Sequence, residues 1–231
     1  MKVTRILATS FLAVGLAFVA SNAHADGAVT LSWNSCSYVQ NLNFTAPGQV
    51  ANLVVSVAGE TRAHKGSRIK VSIGTGLGDA WRFDAAGCNV GQLSLNTAGL
   101  SKACAAYQGG NPLPIFNYSY DGGTGKALLD MLNAYNETTG NGLSQTMYQA
   151  IFNHAFSNSG PQDPALECGF AENPVCFHLV ATEHLNPDLT ISSYNVANDF
   201  VTWQDPDNGT GCPGATQNES STWGRVKGLY R

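Results

Sequence analysis

Charge is scarce in this chain: 12 Lys and Arg stand against 16 Asp and Glu in 231 residues, or 12% of the whole. With no basic run and a formal charge of −4, a phosphate-tracking surface is excluded, which argues against nucleic acid and anionic membrane as partners. No Cys-x-x-Cys pair is present, so a zinc ribbon or a thioredoxin-type redox site has no ligands to start from. No Gly-x-Ser-x-Gly elbow appears, which removes the usual serine-hydrolase signature. Only one stretch is long and apolar, at the extreme N-terminus, so no membrane insertion is expected of the remainder. No internal repeat and no Pro- or Ser-rich linker divides the chain.

That apolar stretch reads as a secretory signal peptide over residues 1–25. Lys2 and Arg5 precede an apolar run from Ile6 to Ala20, and Ala23-His24-Ala25 offers small residues at the cleavage positions. Cleavage would leave 206 of the 231 residues, a single domain over 26–231. Two of the twelve bases and none of the acids leave with the peptide, moving the formal charge from −4 to −6. The expected location is therefore secreted, periplasmic or extracellular.

What is abundant is Gly, Asn, Ser and Thr between short alternating segments. Residues 28–33 alternate in polarity. Leu53, Val55 and Val57 share one face, as do Ile69, Val71 and Ile73, with Arg68, Lys70 and Ser72 opposite. Further strands are expected at Ala80–Phe83, Pro114–Tyr120, Met147–Phe156, Val175–Thr182 and Asp199–Trp203, with turn signals between them. The segment AGETRAHKGS (58–67) reads as a charged, flexible linker. This pattern predicts an all-β fold, a disulfide-bearing β-sandwich of jelly-roll or immunoglobulin-like type. One stretch dissents: Leu128, Leu129, Leu132 and Tyr135 in KALLDMLNAY recur at helical spacing, so periodicity alone predicts a helix over 126–135.

Six cysteines in an exported chain imply disulfides. Of the fifteen pairings, sequence separation favours Cys88–Cys104 and Cys168–Cys176, leaving Cys36 for Cys212. A bridge closing so long a loop would contribute on the order of 4–5 kcal/mol.

Few motifs carry chemistry. Tyr120 to Lys126 resembles a phosphate loop but has Tyr and Ala127 where Gly and Ser or Thr are needed, so it reads as a glycine turn. Asp205-Pro206-Asp207-Asn208-Gly209 departs from a calcium loop and reads as a plain turn. His178 and His184, six apart on one strand, would share a face yet lie about 20 Å apart, too far to hold one metal with His154. No metal and no cofactor is expected. Asp79, Asp84, Asp121, Asp130, Glu137, Glu172 and Glu183 include no pair that spacing selects as a glycosidase couple. Trp33, Trp81, Trp203 and Trp223 are expected in the core. Tyr118 and Tyr120, beside the glycine turn, are the candidates for a ligand-binding patch.

LSWNSC at 31–36, DAWRFDAAGCN at 79–89, ENPVCFHL at 172–179, VTWQ at 201–204 and the closing TWGRVKGLYR together resemble a group of uncharacterised exported bacterial proteins. Such proteins carry an early Trp-x-x-Cys, a Pro-Val-Cys strand and a Trp-Gly-x-x-Lys-x-x-Tyr-Arg end. The resemblance implies an exported β-rich domain with disulfides and brings no catalytic residues. It also implies a strand where 126–135 reads helical. The chain departs from that group in having no second cysteine near Phe44-Thr45 and none over Gly169–Asn173. Trp223, Val226 and Tyr230, at intervals of three and four after Thr222, predict a short C-terminal helix packed on the domain. The expected function is that of a non-catalytic binding or structural protein at the cell surface, with a glycan or surface protein as partner. The alternative is a secreted carbohydrate-active hydrolase using two acids.

Overall fold

The computed structural model describes residues 27–46, 48–74, 77–107, 114–154, 168–169 and 173–204. The signal segment, Phe156, Glu172, Asp205–Gly209, Cys212 and the closing segment with Trp223, where a short helix is expected, lie outside them.

Among the described residues thirteen strands follow in order: β1 (Ala28–Trp33), β2 (Asn41–Leu42), β3 (Val50–Ala58), β4 (Ala63–Ile73), β5 (Leu93–Asn96), β6 (Ala105–Ala106), β7 (Ile115–Asp121), β8 (Lys126–Thr139), β9 (Gln145–Asn153), β10 (Val175–Leu185), β11 (Ile191–Ser193), β12 (Asn195–Asn198) and β13 (Phe200–Trp203). They form two sheets. The six-stranded sheet runs β12-β1-β3-β9-β5 with β6 also on β9, and the seven-stranded sheet runs β2-β13-β10-β4-β8-β7 with β11 also on β10. The long pairings are antiparallel, and only the short strands β12, β2 and β6 join in parallel. The protein is thus an all-β, disulfide-bearing sandwich.

Alternation builds the core. Leu53, Val55 and Val57 of β3 face Ile69, Val71 and Ile73 of β4 across the sandwich, each no more than 1% exposed. Trp33, Trp81 and Trp203 fill its centre with Phe177 and Phe152, in edge-to-face contacts at 5.0–6.1 Å. Trp33 Nε1 donates to the Thr202 carbonyl at 2.7 Å, and the Tyr148 hydroxyl donates to the Ser67 carbonyl at 2.8 Å, so two buried aromatic side chains bond the sheets together.

Several sequence expectations are corrected. Residues 126–135, where periodicity alone predicts a helix and the resemblance implies a strand, lie in a 14-residue strand, β8, so only the periodicity reading is overturned. It is paired on both sides, by β4 and β7, and buries Ala127, Leu129, Met131 and Asn133 at period two. Ala80–Phe83 is not a strand. Asp79–Trp81 is a 3₁₀ turn, closed by Trp81 N–H to the Gly78 carbonyl at 3.0 Å and Arg82 N–H to the Asp79 carbonyl at 3.0 Å, and it drives Trp81 into the core. Residues 58–67 are not a flexible linker, since Ala63–Ser67 belongs to β4 and Glu60 is buried.

The disulfides also differ. Cys36 bonds Cys104, not Cys212, and Cys88 bonds Cys168, not Cys104, with Cα atoms 6.1 and 5.6 Å apart. Cys168 is therefore unavailable to Cys176, which is itself disulfide-bonded. Bridge geometry follows proximity in the fold rather than in sequence. The Cys36–Cys104 bridge lies on the outer face of the six-stranded sheet, its sulfurs 3.5 and 3.0 Å from Thr146 Oγ1.

Candidate functional site

The two outer faces of the sandwich are unequal. At the centre of the six-stranded sheet the side chains directed away from the core are covered: Ser32, Val54 and Thr146 are fully buried and Gln149 is 6% exposed, while Val50 and Ser94 nearer its margins are exposed. The segment between β5 and β6 accounts for part of this cover, since Gln149 Nε2 donates to the Ala98 carbonyl at 2.7 Å and Cys104 sits on Thr146.

The outer face of the seven-stranded sheet is open. Strand register sets its side chains in rows. Ile115, Leu132, Arg68 and Glu183 form one row, Asn117, Asp130 and Lys70 the next, and Ser119, Leu128, Ser72 and His178 a third. Arg68 holds Asp130 with two hydrogen bonds of 2.9 and 2.6 Å, and Lys70 Nζ stands 3.8 Å from the same carboxylate. The hydrogen bonds that Arg68 donates to Asp130, and then the charges of Asp130 and Glu183, hold the Arg68 guanidinium above its ordinary range against the effect of burial. Ile115 and Leu132 are 64% and 44% exposed beside these charges. The four strands β7, β8, β4 and β10, of 7, 14, 11 and 11 residues, at about 3.3 Å per residue and 4.8 Å spacing make a surface of roughly 680 Å², near the ~800 Å² per partner of an ordinary protein interface.

At the β7–β8 hairpin end of this face is a shallow depression of about 440 Å³, lined by Ser72, Ser119, Tyr120, Asp121, Thr124, Lys126, Ala127 and Leu128. Tyr120 therefore borders an open depression, with the Arg82 guanidinium 4.7 Å over its ring. Arg82 is itself fixed by Asp84, at 3.2 and 2.9 Å. Tyr118 does not line the depression. Its hydroxyl donates to the Trp81 carbonyl and its ring meets Phe83 at 5.8 Å, so it props the 3₁₀ turn against β7.

The two strand histidines are separated. A register shift between Leu179 and Ala181 inserts an extra residue into β10, so His178 faces outward with Nε2 3.2 Å from Asp199, while His184 is buried. Even spacing keeps two residues on one face only while the pleat is unbroken.

His184 instead joins a buried polar cluster that sequence reasoning missed. His64 of β4 lies with its ring centroid 4.3 Å from His184, Tyr194 packs 4.5 Å from His184, and Tyr107 lies 6.3 Å from both His64 and Tyr135. Glu60, 1% exposed, closes the cluster: it accepts from Arg62 N–H at 2.6 Å, from the Arg62 guanidinium at 3.2 and 3.0 Å and from Gly27 N–H at 3.2 Å, and it lies 3.3 Å from His64 Nε2. Burial would raise the Glu60 carboxyl, but the Arg62 hydrogen bonds and the charges of His64 and Arg62 hold it at about 2. Burial lowers His64, against the pull of Glu60. Gly140 lets the β8–β9 turn approach, since a Cβ there would lie 2.2 Å from the Glu60 carbonyl oxygen. The only sequence sign of this cluster was one Glu and one His inside what read as a linker. Among the described residues no three His, Cys, Asp or Glu stand where they could hold a metal ion.

The remaining named acids do not converge on a cleft. Asp84 and Asp130 are bound by Arg82 and Arg68, and Asp121 caps its own turn through Gly123 N–H and Thr124 Oγ1. Hydrogen bonds to these turn and arginine partners lower Asp84 and Asp121.

No protein-family model matches the sequence, and no curated protein matches it. Among solved structures the chain is similar to a cohesin module from the Clostridium perfringens ATCC13124 family 33 glycoside hydrolase, at 8% identity and TM-score 0.37, over 78% of this chain and 97% of that one. It is similar to the second type II cohesin module of the Acetivibrio cellulolyticus adaptor ScaA scaffoldin, at 12% identity and TM-score 0.40, over 76% and 88%. It is also similar to the third ScaB cohesin of R. flavefaciens, solved in complex with a group 1 dockerin, at 11% identity and TM-score 0.33, over 80% and 99%. At such scores and identities the likeness carries no inference about sites or partners.

Proposed function

We propose that this chain is an exported, non-catalytic β-sandwich that exerts a binding or structural role at the cell surface or outside the cell, through the open face of its seven-stranded sheet. The carrying observation is the asymmetry of the sandwich: one outer face is covered across its centre, while the other presents charges of alternating sign in strand register beside exposed Ile115 and Leu132. Such a flat mosaic suits the surface of another protein, where complementary charges set orientation more than affinity. Disulfides and the N-terminal signal sequence support an oxidising, extracytoplasmic location. Tyr120 favours a second reading, in which its ring, held under Arg82 at the edge of the depression, stacks on a sugar.

Binding of the purified protein to intact cell surfaces, and to a panel of glycans and surface polymers, tests this with product analysis in the same samples. Arg68→Glu and Lys70→Glu are expected to weaken binding at least tenfold, while Val90→Lys, at an exposed site outside both sheets, leaves it unchanged. Loss of glycan binding in Tyr120→Ala alone would move the site to the depression. Turnover of any polymer would overturn the non-catalytic reading.

A further inference from the structure

The sheets end in edge strands of very different character. β12 and β5 at the edges of the six-stranded sheet have four residues each, and β2 at one edge of the seven-stranded sheet has two. Short edges of this kind are how sandwiches avoid pairing with other chains. β7, at the opposite edge, has seven residues, and its ladder with β8 runs without a register shift through all seven pairs. It contains no Pro, no Lys and no bulge, and its sole charge is Asp121 at the end. Among the described residues no strand pairs with its other side. Ile115 is 64% and Phe116 36% exposed.

Its sequence indicates what fits there. Phe116-Asn117-Tyr118-Ser119-Tyr120 has the same alternation of aromatic and small polar residues in either direction about Tyr118. A two-fold axis at Tyr118 would set two copies antiparallel, with Phe116 opposite Tyr120, Asn117 opposite Ser119 and Ile115 opposite Asp121. Residue i then meets j while j meets i, as a closed two-fold interface requires. The two Asp121 carboxylates fall at opposite ends of the ladder, so the one charge on the strand is not opposed by its own copy. Aromatic pairs in such a ladder are among the more favourable cross-strand contacts. An unrelated partner strand would not require this symmetry.

We infer that β7 is the docking edge for a second copy of this chain, which joins the two seven-stranded sheets into one continuous sheet through antiparallel β7–β7 pairing. The inference goes beyond the binding face: it uses the backbone edge of β7, whose Ile115, Asn117 and Ser119 side chains lie at the margin of that face, and its test reads self-association rather than binding to another surface.

Sedimentation velocity of the purified, disulfide-bonded protein across a concentration series tests it, with hydrogen exchange read on residues 115–121. The expected result is a monomer–dimer equilibrium in which those amides gain protection as concentration rises. Asn117→Lys with Ser119→Lys sets like charges opposite each other twice across the axis and should abolish the dimer. Asn117→Lys with Ser119→Glu makes both pairs opposite in charge and should retain it. Circular dichroism and thermal unfolding show that each variant is folded, and the wild-type series stands alone if one is not. A monomer at all concentrations overturns the inference, as does protection of β7 in the monomer, which would mean that the edge is covered by its own chain. A dimer that survives the Lys–Lys change, or the loss of both variants' dimers, overturns the register.

Discussion

His154 shows how far a single side chain departs from its ordinary chemistry here. It follows β9 into the tryptophan centre, with Trp81 4.6 Å, Trp203 5.0 Å and Phe83 5.6 Å from its ring, and it is fully buried. Desolvation lowers it from 6.5 to about 4, although a hydrogen bond with the Ala80 backbone works in the other direction. A lowered folded-state value means that the stability tied to neutral His154 is complete above about pH 6.5 and is lost as pH falls through that value toward 4. The loss amounts to a few kcal/mol, on the order of 3 for a fully buried group. Stability from urea unfolding should therefore fall between pH 6.5 and 4, and His154→Phe should flatten that slope without abolishing it, because burial lowers His64 in the same sense. Glu60, held at about 2, acts in a lower window and loses its contribution only as pH falls from about 4.5 toward 2. An unchanged slope in His154→Phe would show that the imidazole is not held neutral.

At the scale of elements, the segments that were readable in the sequence are those whose burial is set by alternation alone. β1, β3 and the second half of β4 fall where their polarity pattern places them. β8 misled because Leu128, Leu129, Leu132 and Tyr135 also fit a helix, and the choice was made by partners distant in sequence, Ile115–Asp121 and Ala63–Ile73. The candidate site was less readable still. Arg68, Lys70 and Ser72 were assigned to water, but nothing local showed that one sheet would be covered and the other left open. The β10 bulge that parts His178 from His184 has no sequence mark either. β8 offers a direct test. In a strand Leu129 points inward, fully buried, and Leu132 outward, 44% exposed. Leu129→Ala should cost about 2–5 kcal/mol, whereas Leu132→Ala should stay within about 0.5 kcal/mol. Chemical denaturation separates the two, and equal losses would fit the amphipathic helix instead.

For the whole molecule, the covalent ties connect parts that alternation cannot bring together. Cys36 lies just after β1 and Cys104 just before β6, so their bridge pins the covering segment onto the six-stranded sheet. Cys88, after the 3₁₀ turn, is tied to Cys168, beside Gly169 whose carbonyl accepts the Ala80 N–H at 3.1 Å, so both contacts hold that turn in place under the tryptophans. The bridges span 68 and 80 residues, and the chain-entropy model gives each about 4 kcal/mol of stabilisation through the unfolded state. Short-range pairing such as Cys88–Cys104 would have constrained the unfolded chain less and left both segments untied. A peptide map under non-reducing conditions should yield Cys36 linked to Cys104 and Cys88 linked to Cys168, with no free thiol before reduction. Full reduction should lower the melting temperature by about 10 °C or more for a chain of this size. Recovery of a Cys88–Cys104 peptide would contradict the fold at the turn that carries Trp81, and with it the placement of the aromatic core.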